Sequence, residues 1–203
     1  MAIDFTPSNL LEFAASFSPF FITTFFILYS AMMANMKGFI YLIGACFAQL
    51  IGIGFKMILG IKKNHGMNIV PKPGLFCNIF NPISESTKDL GPPSGHALFH
   101  MFTFGYIVLS IITNPNKPGI VFATALLVMA FTNSAYRINR ACETAQDVLL
   151  GGVLGILLGF VWWFIVFYLF PKGPTLVFFG AEDEKKTCSL NSTKQKWRCT
   201  YNV

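Results

Sequence analysis

Two polar segments border apolar stretches of the sequence and contain residue types that could bind an anion and move a proton. In the first, residues 92–96 read PPSGH. Prolines before the first turn and Ser94 at the cap position predict a well-defined helix start, where exposed amides and Gly95 favour a bound anion. His96 would then lie beside that anion, placed to donate a proton to a leaving oxygen. The alternative is an ordinary capped helix with an interfacial histidine.

The second segment, RINRACETAQD at residues 137–147, places four charged residues close together beside an apolar stretch. Glu143 and Asp147 are four residues apart, which predicts that they share one face of a helix. One interpretation makes Arg137 a clamp for a phosphate, with Asp147 orienting a group one turn earlier. The other interpretation is an interfacial ion-pair cluster that stabilises a helix end.

A third feature is the pair Lys56 and Lys63, because a lysine far down an apolar stretch is energetically expensive. The two residues are seven apart, which corresponds to two turns on one helix face and roughly 10 Å along its axis. Two cations on one stripe favour a phosphate-binding surface. The alternative for Lys56 is snorkelling, in which the stem lies along the helix and the ammonium reaches the interface.

The composition indicates which elements must position these residues. Of the 203 residues, 54% are hydrophobic and 12% are charged, against roughly a quarter charged in ordinary soluble domains. A helix needs roughly 20 apolar residues to cross a bilayer core. Stretches of this kind are predicted at residues 11–33, 39–61, 94–112, 119–135 and 148–170. The sequence therefore predicts an all-α, polytopic membrane bundle of about five transmembrane helices.

This bundle is predicted as a single membrane-embedded domain, residues 1–170, followed by a polar C-terminal tail, residues 171–203. The formal charge is +6, and the Lys and Arg residues cluster in connections and in the tail. Attraction to anionic headgroups or to a phosphate explains this pattern better than nucleic-acid binding. The sequence shows no zinc-ligand spacing and no nucleotide-binding glycine loop, so neither a metal nor a cofactor is predicted. Membrane lipids, lipid phosphates and other membrane subunits are the candidate partners, in an endomembrane or organelle membrane.

Successive connections lie on alternate faces of the membrane, which separates four cysteines into two pairs. Cys77 and Cys142 are predicted on the face of the charged segments, whereas Cys188 and Cys199 lie on the opposite face with the tail. Both pairs cannot be disulfides in one oxidising compartment, so at least one pair is predicted to be free. The Asn191 glycosylation sequon would require a luminal tail, whereas the Lys and Arg distribution favours a cytosolic one.

Taken together, the three polar features resemble the type 2 phosphatidic acid phosphatase superfamily, which includes lipid phosphate phosphatases, dolichyl-diphosphate phosphatases and vanadium haloperoxidases. That family carries the motifs K-x6-R-P, P-S-G-H and S-R-x5-H-x3-D in this order. The corresponding positions here are Lys56-x6-Lys63-Asn64, the PSGH of residues 93–96, and Arg137-x5-Glu143-x3-Asp147. The resemblance covers about residues 49–170, and ETAQDVLLGGVLG also looks like the motif ending of the dolichyl-diphosphate members.

The resemblance implies a helical bundle with its site at the membrane surface. In such enzymes the third-motif His attacks phosphorus, the second-motif His protonates the leaving group, and the Asp holds the nucleophile. Lys, Arg, Ser and Gly side chains or amides bind the phosphoryl oxygens. The retained roles would fall to Lys56, Ser94, Gly95, His96, Arg137 and Asp147.

The sequence departs from the family pattern at four positions. Lys63 replaces the first-motif Arg, which exchanges a bidentate fork for a point charge, and Asn64 replaces the adjacent Pro. Tyr136 replaces the Ser before Arg137. Glu143 stands where the family has its nucleophilic His.

Glu143 allows two interpretations. A carboxylate can form an acyl phosphate in other enzymes, but Asp147 would here be a like charge instead of a partner for an imidazole. Alternatively, Glu143 acts as an internal anion among Lys56, Lys63, Arg137 and Arg140, where one charge pair at ~4 Å is worth about 4 kcal/mol before desolvation.

The predicted function is therefore a non-catalytic, lipid-phosphatase-like membrane protein that serves as a structural subunit or weak lipid-phosphate binder. The alternative is an active lipid phosphate or pyrophosphate phosphatase, with His96, Glu143 and Asp147 at the catalytic positions. In both cases, the phosphate-binding positions are Lys56, Lys63, Ser94, Gly95 and Arg137. A channel or transporter outside the family is a third reading, against which the absence of paired inverted halves in the sequence argues.

Overall fold

The structure, a computed structural model, describes residues 7–59, 91–113, 119–170, 176–178, 186–191 and 196–201, and every structural statement below concerns these residues. Five helices follow one another along the chain: α1 Pro7–Met32, α2 Lys37–Leu59, α3 Gly95–Thr113, α4 Ile120–Asn139 and α5 Ala145–Phe164. A π-helical turn, Ile165–Leu169, extends α5. Two strands, β1 Lys186–Asn191 and β2 Lys196–Tyr201, lie in the C-terminal tail.

All five helices are long and apolar enough to cross a membrane, which confirms the predicted five-helix membrane bundle. The ends of two helices differ from the prediction. The helix α4 continues to Asn139 instead of residue 135, so that Arg137 lies in its last turn. The helix α5 begins at Ala145 instead of residue 148. The second polar segment thus consists of two helix ends and the short loop, residues 140–144, that joins them.

The prediction that Glu143 and Asp147 share a helix face was wrong, because Glu143 lies in the loop and Asp147 in the first turn of α5. The helix starts where it does because Thr144 and Asp147 form a capping box. The Asp147 amide donates to the Thr144 hydroxyl at 3.2 Å, and the Thr144 amide donates to Asp147 Oδ2 at 3.0 Å. This reciprocal pair satisfies two amides at the helix start, which fixes Thr144 as the residue before the helix.

The helix α3 is the centre of the bundle, since 67% of its span is buried within the protein against 22–28% for the other four. It packs against α2, α4 and α5. The outer helices expose mostly large apolar side chains, as contact with lipid requires. The motif Ser94-Gly95-His96 therefore lies at the start of the most enclosed helix.

Three glycines of α5, Gly151, Gly155 and Gly159, allow α3 and α5 to pack with their backbones in close contact. A Cβ atom at Gly155 would overlap the carbonyl of Leu98, and one at Gly151 would overlap the backbone of Ser94. Small residues four apart commonly permit such close approach between membrane helices. The seam holds the starts of α3 and α5 side by side, which brings the two polar segments together.

The tail contains the only strands among the residues that the structure describes. The strands β1 and β2 pair antiparallel, and their register places Cys188 opposite Cys199. The sequence predicted a polar tail without assigning strands to it. The hairpin follows the C-terminal end of α5, which is the end away from the polar segments.

Candidate functional site

Ser94 caps α3 and at the same time contacts the second polar segment. Its hydroxyl accepts a hydrogen bond from the Ala97 amide at 3.1 Å, which confirms the predicted cap. The same hydroxyl donates to Glu143 Oε2 at 2.6 Å. The Ser94 amide also donates to the Asp147 carbonyl at 2.8 Å. Ser94 thus joins the start of α3 to both the loop and the first turn of α5.

Arg137 binds the same carboxylate from the other side. Its Nη2 donates to Glu143 Oε1 at 3.1 Å, and its Nε lies 3.1 Å from Oε2. Both side chains are buried, with 7% and 8% of their surfaces exposed. Both carboxylate oxygens of Glu143 are therefore engaged by a guanidinium and a hydroxyl, the donors that charge-assisted recognition of a phosphate also uses.

The charge state of Glu143 follows from this environment. Burial by itself raises the pKa of the carboxyl, but the charge and hydrogen bond of Arg137 outweigh it, assisted by His96 and the Ser94 hydroxyl. The pKa of Glu143 consequently lies below its ordinary value of 4.5. Glu143 is therefore an anion at neutral pH, and the site contains a resident negative charge.

His96 lies next to this ion pair, in the first turn of α3, and 8% of its surface is exposed. The charged groups that act on its ring are Arg137, Glu143 and Lys56. Its Nδ1 is buried and has no hydrogen-bond partner among the described residues. A buried ring nitrogen without a partner is costly, so this atom is available to a polar group that enters the site.

The first-motif positions are only partly within the described residues. Lys56 is half-buried in the last turn of α2. Lys63 lies outside the described residues, so the prediction that it shares a helix face with Lys56 lies outside them too. Gly95 is fixed by Gln49, whose Nε2 donates to the Gly95 carbonyl at 3.1 Å. Sequence reasoning missed Gln49, although a polar residue two turns before Lys56 in an apolar helix was a usable signal.

Asp147 has a different environment from the one the resemblance implies. Its side chain is 4% exposed, and its Oδ2 accepts from the Thr144 amide at 3.0 Å. In this arrangement the carboxylate of Asp147 holds the backbone immediately after Glu143. It can therefore position Glu143 through the loop, and its own contact is with the main chain.

Arg140 points to an aromatic side chain. Its Nε donates to the Tyr136 hydroxyl at 2.9 Å, and its guanidinium lies 5.4 Å from the centre of the Tyr136 ring. Tyr136 is the residue that replaces the family's Ser. The substitution gives Arg140 a hydrogen bond and a cation–π contact, whereas Arg137 contacts Glu143.

A second polar layer lies deeper in the bundle, below His96. His100, one turn further along α3, contacts the Ser18 hydroxyl at 2.9 Å, and Asn133 Nδ2 donates to the same hydroxyl at 2.8 Å. All three side chains are at most 4% exposed. His100 therefore lies in the interior of the bundle. Ser18 and Asn133 were missed, because single small polar residues in apolar helices give no spacing signal.

The described residues thus bring together Ser94, Arg137 and Glu143 in direct contact, with His96 and Lys56 close enough to act electrostatically. They contain no group of three His, Cys, Asp or Glu side chains that could hold a metal ion. Chemically, the arrangement is a cluster of hydrogen-bond donors at a helix start, of the kind that binds anions. Its donors are bound to a carboxylate of the same chain.

The sequence also matches a known protein family. The family model described as the PAP2 superfamily matches residues 17–171, which include all three polar features. No curated protein and no solved structure matches the chain. The family match covers well over half of the sequence, and its five apolar helices span the membrane. The chain is a lipid-phosphatase-like integral membrane protein that belongs to the PAP2 superfamily.

Proposed function

We propose that this protein is a non-catalytic member of its family, in which Glu143 occupies the phosphate position of the pocket. In this proposal the protein is a structural component of its membrane or a weak binder of lipid phosphates. One observation carries it: the Glu143 carboxylate receives a hydrogen bond from Ser94 and a hydrogen-bonded ion pair from Arg137.

The contacts of Glu143 support the proposal because they are those that a phosphate monoester would need. A phosphate offers oxygens to a guanidinium fork and to a hydroxyl at a helix start. The carboxylate already uses the Arg137 Nη2 proton and the Ser94 proton. A lipid phosphate that entered the pocket would have to displace Glu143 and leave it beside a second anion.

The energetic consequence is weak binding. A resident negative charge next to the pocket opposes an incoming anion by an amount that depends on the effective dielectric constant. Each 1.4 kcal/mol of such opposition weakens binding about tenfold. Removing only the charge of Glu143, while keeping its size, should therefore tighten the binding of a lipid phosphate by roughly tenfold or more.

A second candidate function is phosphatase activity with Glu143 as the nucleophile, which its ionised state favours. In that reaction a Glu143 oxygen bonds to phosphorus, the ester P–O bond breaks, and His96 gives its proton to the leaving oxygen. Water then attacks the acyl phosphate and returns a proton to His96, which releases inorganic phosphate and restores the Glu143 carboxylate. The engagement of Asp147 by the Thr144 amide weakens the objection that Asp147 would repel this intermediate.

One experiment separates the two candidates. The full chain in nanodiscs is assayed for phosphate release from phosphatidic acid, lysophosphatidic acid and polyprenyl diphosphate, and for binding of phosphatidic acid. We expect no release from the natural sequence. Glu143→Gln should increase binding, whereas Glu182→Gln, which removes the same charge from the tail, should not.

Phosphate release that disappears in both Glu143→Gln and His96→Ala would instead establish the active phosphatase and overturn the proposal. Unchanged phosphatidic acid binding in Glu143→Gln would show that the carboxylate does not oppose an anion. Gain of phosphate release in Glu143→His would support the proposal further, because it restores the family's nucleophile beside the retained Ser94, His96 and Arg137.

A further inference from the structure

The loop that presents Glu143 is tied covalently to another part of the chain. Cys142, the residue directly before Glu143, is disulfide-bonded. Its amide donates to the carbonyl of Arg137 at 2.9 Å, so the bonded residue also contacts the helix turn that carries the other half of the ion pair. The disulfide is therefore attached to the short backbone segment that joins Arg137 to Glu143.

The residues on both sides of Cys142 restrict the loop as well. Ala141 has a φ of 54°, a left-handed conformation that costs free energy for any residue with a Cβ. Its amide donates to the Ile138 carbonyl at 3.0 Å. On the other side, Thr144 begins the capping box of α5. Glu143 thus lies between a disulfide-bonded residue and a capped helix start, which together restrict its backbone conformation.

The turn around Ala141 is held by the C-terminal cap of α4. The Ala141 amide donates to the Ile138 carbonyl and the Cys142 amide donates to the Arg137 carbonyl, which is the hydrogen-bond pair of a Schellman motif with its left-handed residue. The Cys142 disulfide adds a covalent bond to this cap. Loss of that bond leaves hydrogen bonds to hold the turn. Cys142 is half-buried, so the residue is partly accessible from outside the protein.

We propose that the Cys142 disulfide is a redox latch, which holds Glu143 on Arg137 and Ser94 while formed and opens the pocket to a lipid phosphate when reduced. The inference rests on the proposed function, because it assumes that Glu143 is the internal anion of the site. It adds a condition under which the pocket becomes available. The ligand class is a lipid that ends in a phosphate monoester.

The chemical step is a thiol–disulfide exchange with a dithiol reductant, such as a thioredoxin-like protein or dithiothreitol. A thiolate of the reductant attacks one sulfur, the S–S bond breaks, and the second thiol of the reductant resolves the mixed disulfide. Two electrons and two protons pass from the reductant to the protein. The products are a Cys142 thiol, the thiol of its partner and an oxidised dithiol.

The membrane faces predicted from the sequence favour one partner sulfur. Cys46 has a free thiol, and the helix α5 separates Cys188 and Cys199 from the loop by one membrane crossing. Cys77 is the cysteine that the sequence predicts on the same face as Cys142. Mass spectrometry of the unreduced protein is expected to recover a peptide pair joined through Cys142 and Cys77. A pair joined to Cys188 or Cys199 would overturn the face assignment on which the latch depends.

The test measures binding of the full chain to nanodiscs of phosphatidylcholine with and without phosphatidic acid, before and after treatment with dithiothreitol. Reduction should raise the affinity for phosphatidic acid several-fold. Without reductant, Cys142→Ser should bind phosphatidic acid as tightly as the reduced natural sequence does. Dithiothreitol should no longer change its affinity. Cys46→Ser, which removes a thiol outside the latch, should behave like the natural sequence. Monodisperse elution of each variant confirms that it is folded, and reduction of the natural sequence tests the latch without any substitution.

Glu143→Gln separates failure of the latch from failure of the proposed function. In this variant, binding should already be tight and should not respond to dithiothreitol. If Glu143→Gln tightens binding but reduction of the natural sequence does not, the disulfide is structural only and the latch is wrong. If Glu143→Gln leaves binding unchanged, the proposed function fails and the latch fails with it.

Discussion

The two ends of the α3–α4 pair differ in what fills the space between the helices. At the end that holds Ser94 and Arg137, the side chain of Glu143 enters from the loop and contacts both. At the opposite end the same two helices leave a cavity of about 230 Å³. The residues that line this cavity are Phe104, Val108, Ile111, Ile112, Ile120, Ala123, Thr124 and Leu127.

The difference shows that the polarity of the side chains lining a space determines whether another side chain of the protein has to occupy it. The cavity is apolar apart from the Thr124 hydroxyl, which donates to the Val121 carbonyl in its own helix, so empty volume or a lipid chain satisfies it. A guanidinium at the other end cannot be left in a low-dielectric space without a counter-charge. Once the chain retains Arg137 in a buried turn, an anion must lie beside it, and Glu143 supplies one.

The largest expected effect comes from removing Arg137, the cation at the end of the α3–α4 pair that Glu143 occupies. We call this the filled end, and the end with the cavity the empty end. Arg137→Met leaves Glu143 buried without a counter-charge, and breaking a buried pair in this way costs about 3–5 kcal/mol. We expect a large fall in Tm, measured by thermal unfolding of the purified chain in detergent. The double variant Arg137→Met/Glu143→Gln should recover most of the loss, because it removes the unpaired charge as well.

Arg140→Met is the matched control, since it removes a neighbouring cation that contacts Tyr136. A partly exposed cation–π contact of this kind contributes about 0.5–1 kcal/mol. Equal losses in the Arg137 and Arg140 variants would mean that the ion pair with Glu143 has no special weight at this end.

The next largest effect comes from placing a charge in the apolar cavity at the other end. Leu127→Asp puts a carboxylate into the cavity lining, where none of the described lining residues is charged. A charged residue near the centre of a membrane helix costs about 2.5–3.5 kcal/mol, so Tm should fall markedly. Leu127→Met, which keeps the position apolar, should leave Tm nearly unchanged. An unchanged Tm in the Asp variant would show that this end is hydrated.

The same contrast explains which parts of the molecule the sequence predicted. Five helices were predictable because each bilayer crossing requires a long apolar run, and the Ser94 cap because only a few residue types cap a helix. The helix boundaries around Glu143 were missed, since a spacing of four residues fits both one helix face and a loop followed by a capping box, and the capping-box signature Thr144-x-x-Asp147 was not used. Thr144 decided between them, through a hydrogen bond that helical periodicity does not register.

Contacts between elements were the other part that the sequence left open. The sequence pattern brought out the charged residues of the pocket, but it did not indicate that Ser18 and Asn133 meet His100 inside the bundle. Nor did it show that Gly155 packs on the Leu98 backbone. A small residue in an apolar helix looks the same whether it faces lipid or a neighbouring helix, and only the packing distinguishes these cases.

The filled end should also respond to pH, with a smaller effect than the Arg137 substitution. The pKa of Glu143 lies below its ordinary value of 4.5, so its ionised form stabilises the folded state, fully so above that pH. As the pH falls through the lowered pKa, the carboxyl is protonated and this contribution is lost. Tm of the natural sequence should therefore drop below about pH 4.5, more than Tm of Glu143→Gln. Parallel pH profiles for the two proteins would contradict the assignment.

The smallest expected effect concerns the empty end. Ala123 lines the cavity, and Ala123→Val adds two carbons that can occupy its free volume at the cost of a few tenths of a kcal/mol in helix propensity. Dispersion contacts should outweigh that cost, and a gain of up to about 1 kcal/mol corresponds to a rise in Tm of about 2–4 °C. Gly155→Ala is the contrasting variant, because its added carbon would overlap the Leu98 carbonyl and overpacking costs about 1–3 kcal/mol. A fall in Tm for both variants would mean that the space beside Ala123 is not available to a side chain, and that the two ends differ only in charge.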